Sequence, residues 1–346
     1  MTADHLDRQQ SPKPQPPKAL TASELGFVWL SYMADSMACQ LLTYLHHVAE
    51  DVQIKEVLAY ALHLSQKHVQ RAGAFLQEAG YPKPIGFTEE DVRLEAPRLF
   101  SDGFVLLFLS HMGGMGAAVY GKALSAVAKD DIHQFYMEAL ASSAELCTRT
   151  KKLLLEKGLF PRSPYLPPQK HADMVDDRRF LAGLFGDIRP LTALEVSNIS
   201  YNMQSIEIVK TLQIAFAQVA EHEKVKALFL RGKQICMKQG ERMQNIFKKE
   251  ELPLTLPRDL YVTNSTIAPF SDKLMMFVCS LLIGAGLEQY AFSLSTTIRR
   301  DIGLRYDELL VEMQKFSEDA AELMVEQHWL EQPPLAADRK GLVGTT

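Results

Sequence analysis

The chain has 346 residues, 47% of them hydrophobic and 23% charged, with a formal net charge of -5. Such a balance carries no footprint for nucleic acid, and four scattered cysteines (Cys39, Cys147, Cys236, Cys279) without a CxxC pair read as reduced thiols of a cytoplasmic protein. The length suits two domains of roughly 150 residues, each able to build a core.

Residues 1–20 are proline-rich, lack the apolar run of a signal peptide and read as a disordered tail. A first helix follows, with Leu25, Val28, Tyr32, Cys39, Leu42 and His46 on one amphipathic stripe. Glu50-Asp51 marks a short break, and a second helix carries Val57, Ala61, Leu64, Ala72, Phe75 and Ala79 until Gly80 and Pro82 stop it. Residues 81–100 are irregular. Ser101 or Asp102 can cap a third helix reaching about Ala128, and Asp130 or Asp131 a fourth that ends near Gly158. The connections are short, long, short, which predicts an all-α, ferritin-like four-helix bundle with one long crossover between helices 2 and 3.

Helix 3 contains Gly113, Gly114, Gly116 and Gly121, each costly in an exposed helix. Small residues there suit close approach of a neighbouring helix and an innermost position; a ligand pocket on the glycine face is the sharper reading. Residues 104–121 lack Asp, Glu, Lys and Arg, but the matching stretch 274–287 is shorter, so both read as buried central helices without a membrane span.

After a linker over residues 161–190, with a short apolar piece at 180–185 suited to a docking turn or short helix, the chain repeats itself. A shift of 171 residues places Thr21-Ala22-Ser23-Glu24 on Thr192-Ala193-Leu194-Glu195. After one deletion, a shift of 170 places Phe100-Ser101-Asp102 on Phe270-Ser271-Asp272, and Gly114, Gly116 and Tyr120 on Gly284, Gly286 and Tyr290. Copy 1 therefore spans 21–160 and copy 2 spans 191–330, followed by a loose tail over 331–346.

Three segments of copy 1 carry a family resemblance: Ser65-Gln66-Lys67-His68, then residues 84–92 (PIGFTEEDV), then residues 96–102 (APRLFSD). They resemble the bacterial domain-of-unknown-function family numbered 3231, found mainly in spore formers in single or tandem copies. Copy 2 resembles it more loosely, with Leu256-Pro257-Arg258-Asp259 in its crossover. The resemblance implies a ferritin-like fold and a link to sporulation or stress, with no catalytic residue to carry over.

Ferritin-like di-metal sites use Glu-x-x-His pairs, which put two ligands on one helix face. No such pair occurs in the sequence. Asp35, His68 and His111 form the one candidate metal set of copy 1, able to hold a single Zn or Fe ion if they converge; a hydrogen-bonded polar cluster in the core is the plainer reading. Their counterparts Ile206, Gln239 and Leu281 have no such capacity. His46-His47 suits a helix C-terminus, and Met33, Met37, Met275 and Met276 suit core packing. No nucleophile triad or phosphate-binding loop is present. The leading expectation is a non-enzymatic helical scaffold acting through a protein partner or self-association. A metal-binding or redox protein using copy 1 alone and a carrier of a small apolar ligand are the alternatives.

Overall fold

The computed structural model describes residues 19–183, 188–254, 256–257 and 260–343. Most of the expected N-terminal tail lies outside them, as do parts of the apolar linker piece and of the second crossover. Eight long helices carry the fold: α1 (Ala22–Val48), α2 (Val52–Glu78), α3 (Asp102–Ala126), α4 (Asp130–Glu156), α5 (Ala193–Val219), α6 (Glu223–Lys249), α7 (Asp272–Thr296) and α8 (Arg300–Glu326). A short α9 (Arg339–Val343) lies in the C-terminal tail, and the linker contributes a 3-10 turn at Arg178–Leu181. Among the described residues, extended pairing is confined to two isolated bridges.

The repeated Thr-x-x-Glu segments explain how both halves start. Thr21 accepts the Glu24 N–H at 3.3 Å, and the Glu24 carboxylate takes the Thr21 N–H at 2.8 Å; Thr192 and Glu195 repeat this box at 3.2 and 2.8 Å. Each glutamate then does a second job. Glu24 Oε1 accepts the N–H groups of Ala128 and Lys129, and Glu195 Oε1 those of Ile298 and Arg299. The free donors at the start of α4 and α8 are thus met by a residue about a hundred positions earlier. Asp130 and Asp131, expected to cap α4, instead lie in its first turn, and the N-cap position is Lys129. A buried glutamate is tolerable only with such partners: burial pushes Glu195 up, but Arg189 and the backbone N–H groups outweigh it and hold the carboxyl at about 2.

In each half the helices form two hairpins, α1–α2 with α3–α4 and α5–α6 with α7–α8, joined by one long crossover. This is a tandem pair of all-helical bundles. The two crossovers meet each other. Val92 bridges Phe270 and Phe100 bridges Val262, both antiparallel. Arg93 N–H donates to Pro269 O at 2.8 Å and Thr263 N–H to Leu99 O at 3.0 Å; Ser271 N–H donates to Asp91 O at 2.9 Å and Ser101 N–H to Tyr261 O at 3.0 Å. Because residue 92 corresponds to 262 and residue 100 to 270, each of these backbone contacts has its mirror. That reciprocity is the signature of an isologous two-fold interface, here built within one chain.

Behind the paired crossovers, the apolar core runs without interruption from one half to the other. Phe216 of copy 2 packs edge-on to Phe100 of copy 1 and to Phe270, while Tyr44 meets Phe270 at 5.1 Å. A smaller cluster around Phe247 and Tyr306 fills the outer part of copy 2. The seam therefore joins two halves that the sequence presents as separately cored. α3 and α7 are, by length and composition, long and apolar enough to cross a membrane; in this fold α3 also packs against α5, and α7 against α1.

Candidate functional site

The centre of copy 1 holds a cavity of about 150 Å³ between its four helices. The glycine face of α3 helps to create it. A Cβ at Gly116 would come within 3.3 Å of Ser143 Oγ, and one at Gly113 within 3.2 Å of Cys147 Sγ, so α4 sits close against α3 at these two positions. Gly121 and Gly284 face open space and play no such part. Leu41, Leu42, Leu64, Phe108, Met112 and Met115 supply apolar wall, and Leu281 from α7 of the other half closes one side.

One side of the cavity is polar. Asp35 on α1 and His68 on α2 lie 3.3 Å apart (Oδ1 to Nδ1), both nearly inaccessible to solvent. The sequence named these two; the structure adds Tyr120 on α3, whose hydroxyl donates to Asp35 Oδ2 at 2.9 Å and lies 3.3 Å from His68 Nδ1. Burial, reinforced by Asp35, raises the Tyr120 hydroxyl well above its usual range and keeps it a donor. Next to this trio the Ser31 hydroxyl meets the Tyr136 hydroxyl at 3.2 Å. Tyr120 was legible as a position kept by both copies, but a lone tyrosine in an apolar helix carries no chemical signal.

His111 does not join them. It stands nine residues before Tyr120, and nine steps of about 100° place the two side chains on opposite faces of α3. Tyr120 faces its own bundle, whereas His111 lines the smaller cavity of copy 2 beside Asn202, Ser205 and Gln239. Burial there lowers its imidazole to about 4. The expected convergence of Asp35, His68 and His111 is therefore corrected to Asp35, His68 and Tyr120. Among the described residues no group of three or more His, Cys, Asp or Glu side chains is placed to hold a metal ion.

The other sequence candidates are accounted for by packing. His46 and His47 sit in the last turn of α1, and Met33, Met37, Met275 and Met276 are core residues. Elsewhere on α4, the carboxylate of Glu145 is taken up by Arg149 at 2.8 Å on an exposed face and adds nothing to the cavity. All four cysteines are free; burial pushes Cys39 and Cys236 up to about 12, leaving inert thiols.

At the equivalent place in copy 2 the space shrinks to about 40 Å³. Tyr290 is retained but donates to Gln239 Oε1 at 2.8 Å, and Tyr306 accepts from Asn202 Nδ2 at 3.2 Å. Ile206 replaces Asp35, Ile283 replaces Gly113 and Met313 replaces Ser143, each adding bulk or removing polarity. Asn202 Oδ1, Ser205 Oγ and Gln213 Oε1 have no hydrogen-bond partner in the described protein and line this small space, whose size and polarity suit ordered water.

Comparison with known proteins bears on the two-copy pattern first. The family described as protein of unknown function DUF3231 matches twice, over residues 13–171 and 179–342. The chain belongs to that family. As a member with two tandem copies, it is similar to a solved structure titled a putative spore coat protein from Bacillus halodurans C-125. The identity is 19%, over 43% of this chain and 98% of that chain, with a TM-score of 0.41. No curated protein matches.

Proposed function

We propose that this DUF3231 protein is a non-enzymatic helical binding protein, in which copy 1 takes up a small, mostly apolar molecule and copy 2 is its filled structural partner. The observation that carries this reading is the contrast between the two centres: about 150 Å³ in copy 1 against about 40 Å³ in copy 2, on one shared framework. A space of the larger size, lined mainly by apolar side chains with leucine the most frequent, is of the order that accepts a benzene-sized guest. The half-buried residues of its wall include Leu30 and Ala34 on α1 and Met112, Met115 and Val119 on α3, which makes that side the thinnest. In this reading copy 1 (21–160) and copy 2 (191–330) are two ferritin-like units, supported by the hairpin–crossover–hairpin order of each. Sporulation or stress is the cellular setting that goes with the family resemblance.

Titration calorimetry of the full chain with benzene tests the reading. The expected result is saturable binding of one equivalent, abolished by Ser143→Met, which installs the copy 2 residue in the cavity. No binding, or binding unaffected by Ser143→Met, overturns it.

A further inference from the structure

The polar side of the copy 1 cavity is unevenly satisfied. Asp35 has both oxygens engaged, one beside His68 and the other by the Tyr120 hydroxyl. Ser65 and Ser143 also line the space and are only 7% and 6% exposed, yet neither hydroxyl has a hydrogen-bond partner among the described residues. They stand at one level. α2 and α4 run antiparallel, with Arg71 Nη1 2.9 Å from Glu138 and the Arg149 guanidinium 4.0 Å above the Tyr60 ring, a register that puts residue 65 opposite residues 143 and 144. Ser65 is also one turn from His68 on α2. Two buried hydroxyls, each able to donate and to accept, therefore face the cavity beside the closed Asp35–His68–Tyr120 cluster.

Charge narrows what can occupy that position. Among the described residues no Lys or Arg lines the cavity, so an anionic head group would be buried without a guanidinium or ammonium partner and near Asp35. A cationic head would have to draw Asp35 away from His68 and Tyr120, exchanging one satisfied arrangement for another at the cost of desolvating the cation. An uncharged hydroxyl meets neither obstacle and complements the two serines.

Resting on the reading of copy 1 as a binding cavity, we infer that its ligand class is an uncharged molecule with an apolar body of about six to ten non-hydrogen atoms and one hydroxyl that exchanges hydrogen bonds with Ser65 and Ser143. Alcohols and phenols fit this description; carboxylates and amines of the same size do not.

The test is a matched series on the full chain at neutral pH, by calorimetry: benzene, benzyl alcohol, benzylamine and benzoate. Benzyl alcohol is expected to bind about three- to tenfold tighter than benzene, the range of one net hydrogen bond, and about tenfold or more tighter than benzylamine and benzoate, since an uncompensated buried charge is the larger penalty. The double variant Ser65→Ala/Ser143→Ala is expected to weaken benzyl alcohol by about three- to tenfold, the range of one net hydrogen bond, and to leave benzene within about twofold. Benzoate or benzylamine matching benzyl alcohol overturns the inference, as does a double variant that weakens benzene and benzyl alcohol alike. The wild-type series decides the ligand class even if the variant folds poorly. If no member of the series binds, the cavity reading itself falls; if benzene binds and the alcohol has no advantage, only the hydroxyl class falls.

Discussion

At matching positions in the two bundles, Tyr120 and Tyr290 donate to different acceptors: a carboxylate of α1 in copy 1, an amide of α6 in copy 2. Around Tyr120 stand Asp35, His68, Ser143 and a glycine; around Tyr290 stand Ile206, Gln239, Met313 and an isoleucine. The framework is shared to the level of single hydrogen bonds, as in the paired Thr-x-x-Glu boxes and the mirrored crossover contacts. What differs is the filling. One duplicated architecture thus separates the residues that make the fold from those that shape the space inside it.

The largest effects should come from disturbing what the halves share. Glu195→Ala removes a fully buried carboxylate that serves two helix starts and pairs with Arg189, leaving a guanidinium and several N–H groups without their acceptor. A loss of about 3–5 kcal/mol is expected in urea unfolding. Its pH dependence has a definite sign: the folded value of about 2 lies below the ordinary 4.5, so the contribution is complete above pH 4.5 and is lost as pH falls towards 2. Glu195→Gln should flatten the stability profile in that window.

Phe270→Ala tests the seam. Its ring packs between the halves, and its removal should cost about 3–5 kcal/mol. Since the core is continuous, fluorescence and circular dichroism should still report one common transition, shifted downwards. Separate melting of the two halves in the wild-type protein would contradict the shared core.

Much of this shared layer was legible in sequence. Helical stripes, the Ser101–Asp102 start of helix 3, the glycine face and the crossovers leave local patterns, and the repeat shows them twice. The pairing of Val92 with Phe270 does not, because antiparallel contact between segments so far apart in the chain has no local periodicity. The second role of Glu24 and Glu195 was hidden for the same reason, while Asp130 and Asp131 offered a nearer but incorrect cap. Within the site, Asp35 and His68 were found because polar side chains on an apolar stripe stand out. Tyr120 was missed as a partner, and His111 was included although counting residues along α3 already sets it half a turn away.

Intermediate effects should follow from exchanging the fillings. Met313→Ser opens copy 2 and should cost about 2–3 kcal/mol, whereas Ser143→Met fills copy 1 and should be neutral or stabilising by thermal unfolding. His111→Leu installs the copy 2 residue. With its imidazole held at about 4 by burial, His111 favours the folded state fully above pH 6.5 and progressively less as pH falls to 4. The leucine variant should remove a slope of up to about 1.4 kcal/mol per pH unit in that interval.

The smallest change should be Tyr120→Phe. It deletes the donor to Asp35 and should cost about 1–2 kcal/mol, against a similar loss for Tyr290→Phe. Equal losses would show that the two tyrosines are structural in both copies; a larger loss at Tyr120 would mark the carboxylate as the more demanding acceptor.

The central claim, that only copy 1 offers a binding space, is tested most directly by NMR of the full chain with labelled methionine methyl groups during a benzene titration. Met112 and Met115 line the copy 1 cavity and Met313 the copy 2 space. Saturable shifts at Met112 and Met115 with Met313 unmoved are predicted. Equal movement at Met313, or no movement at any of the three, would contradict the account.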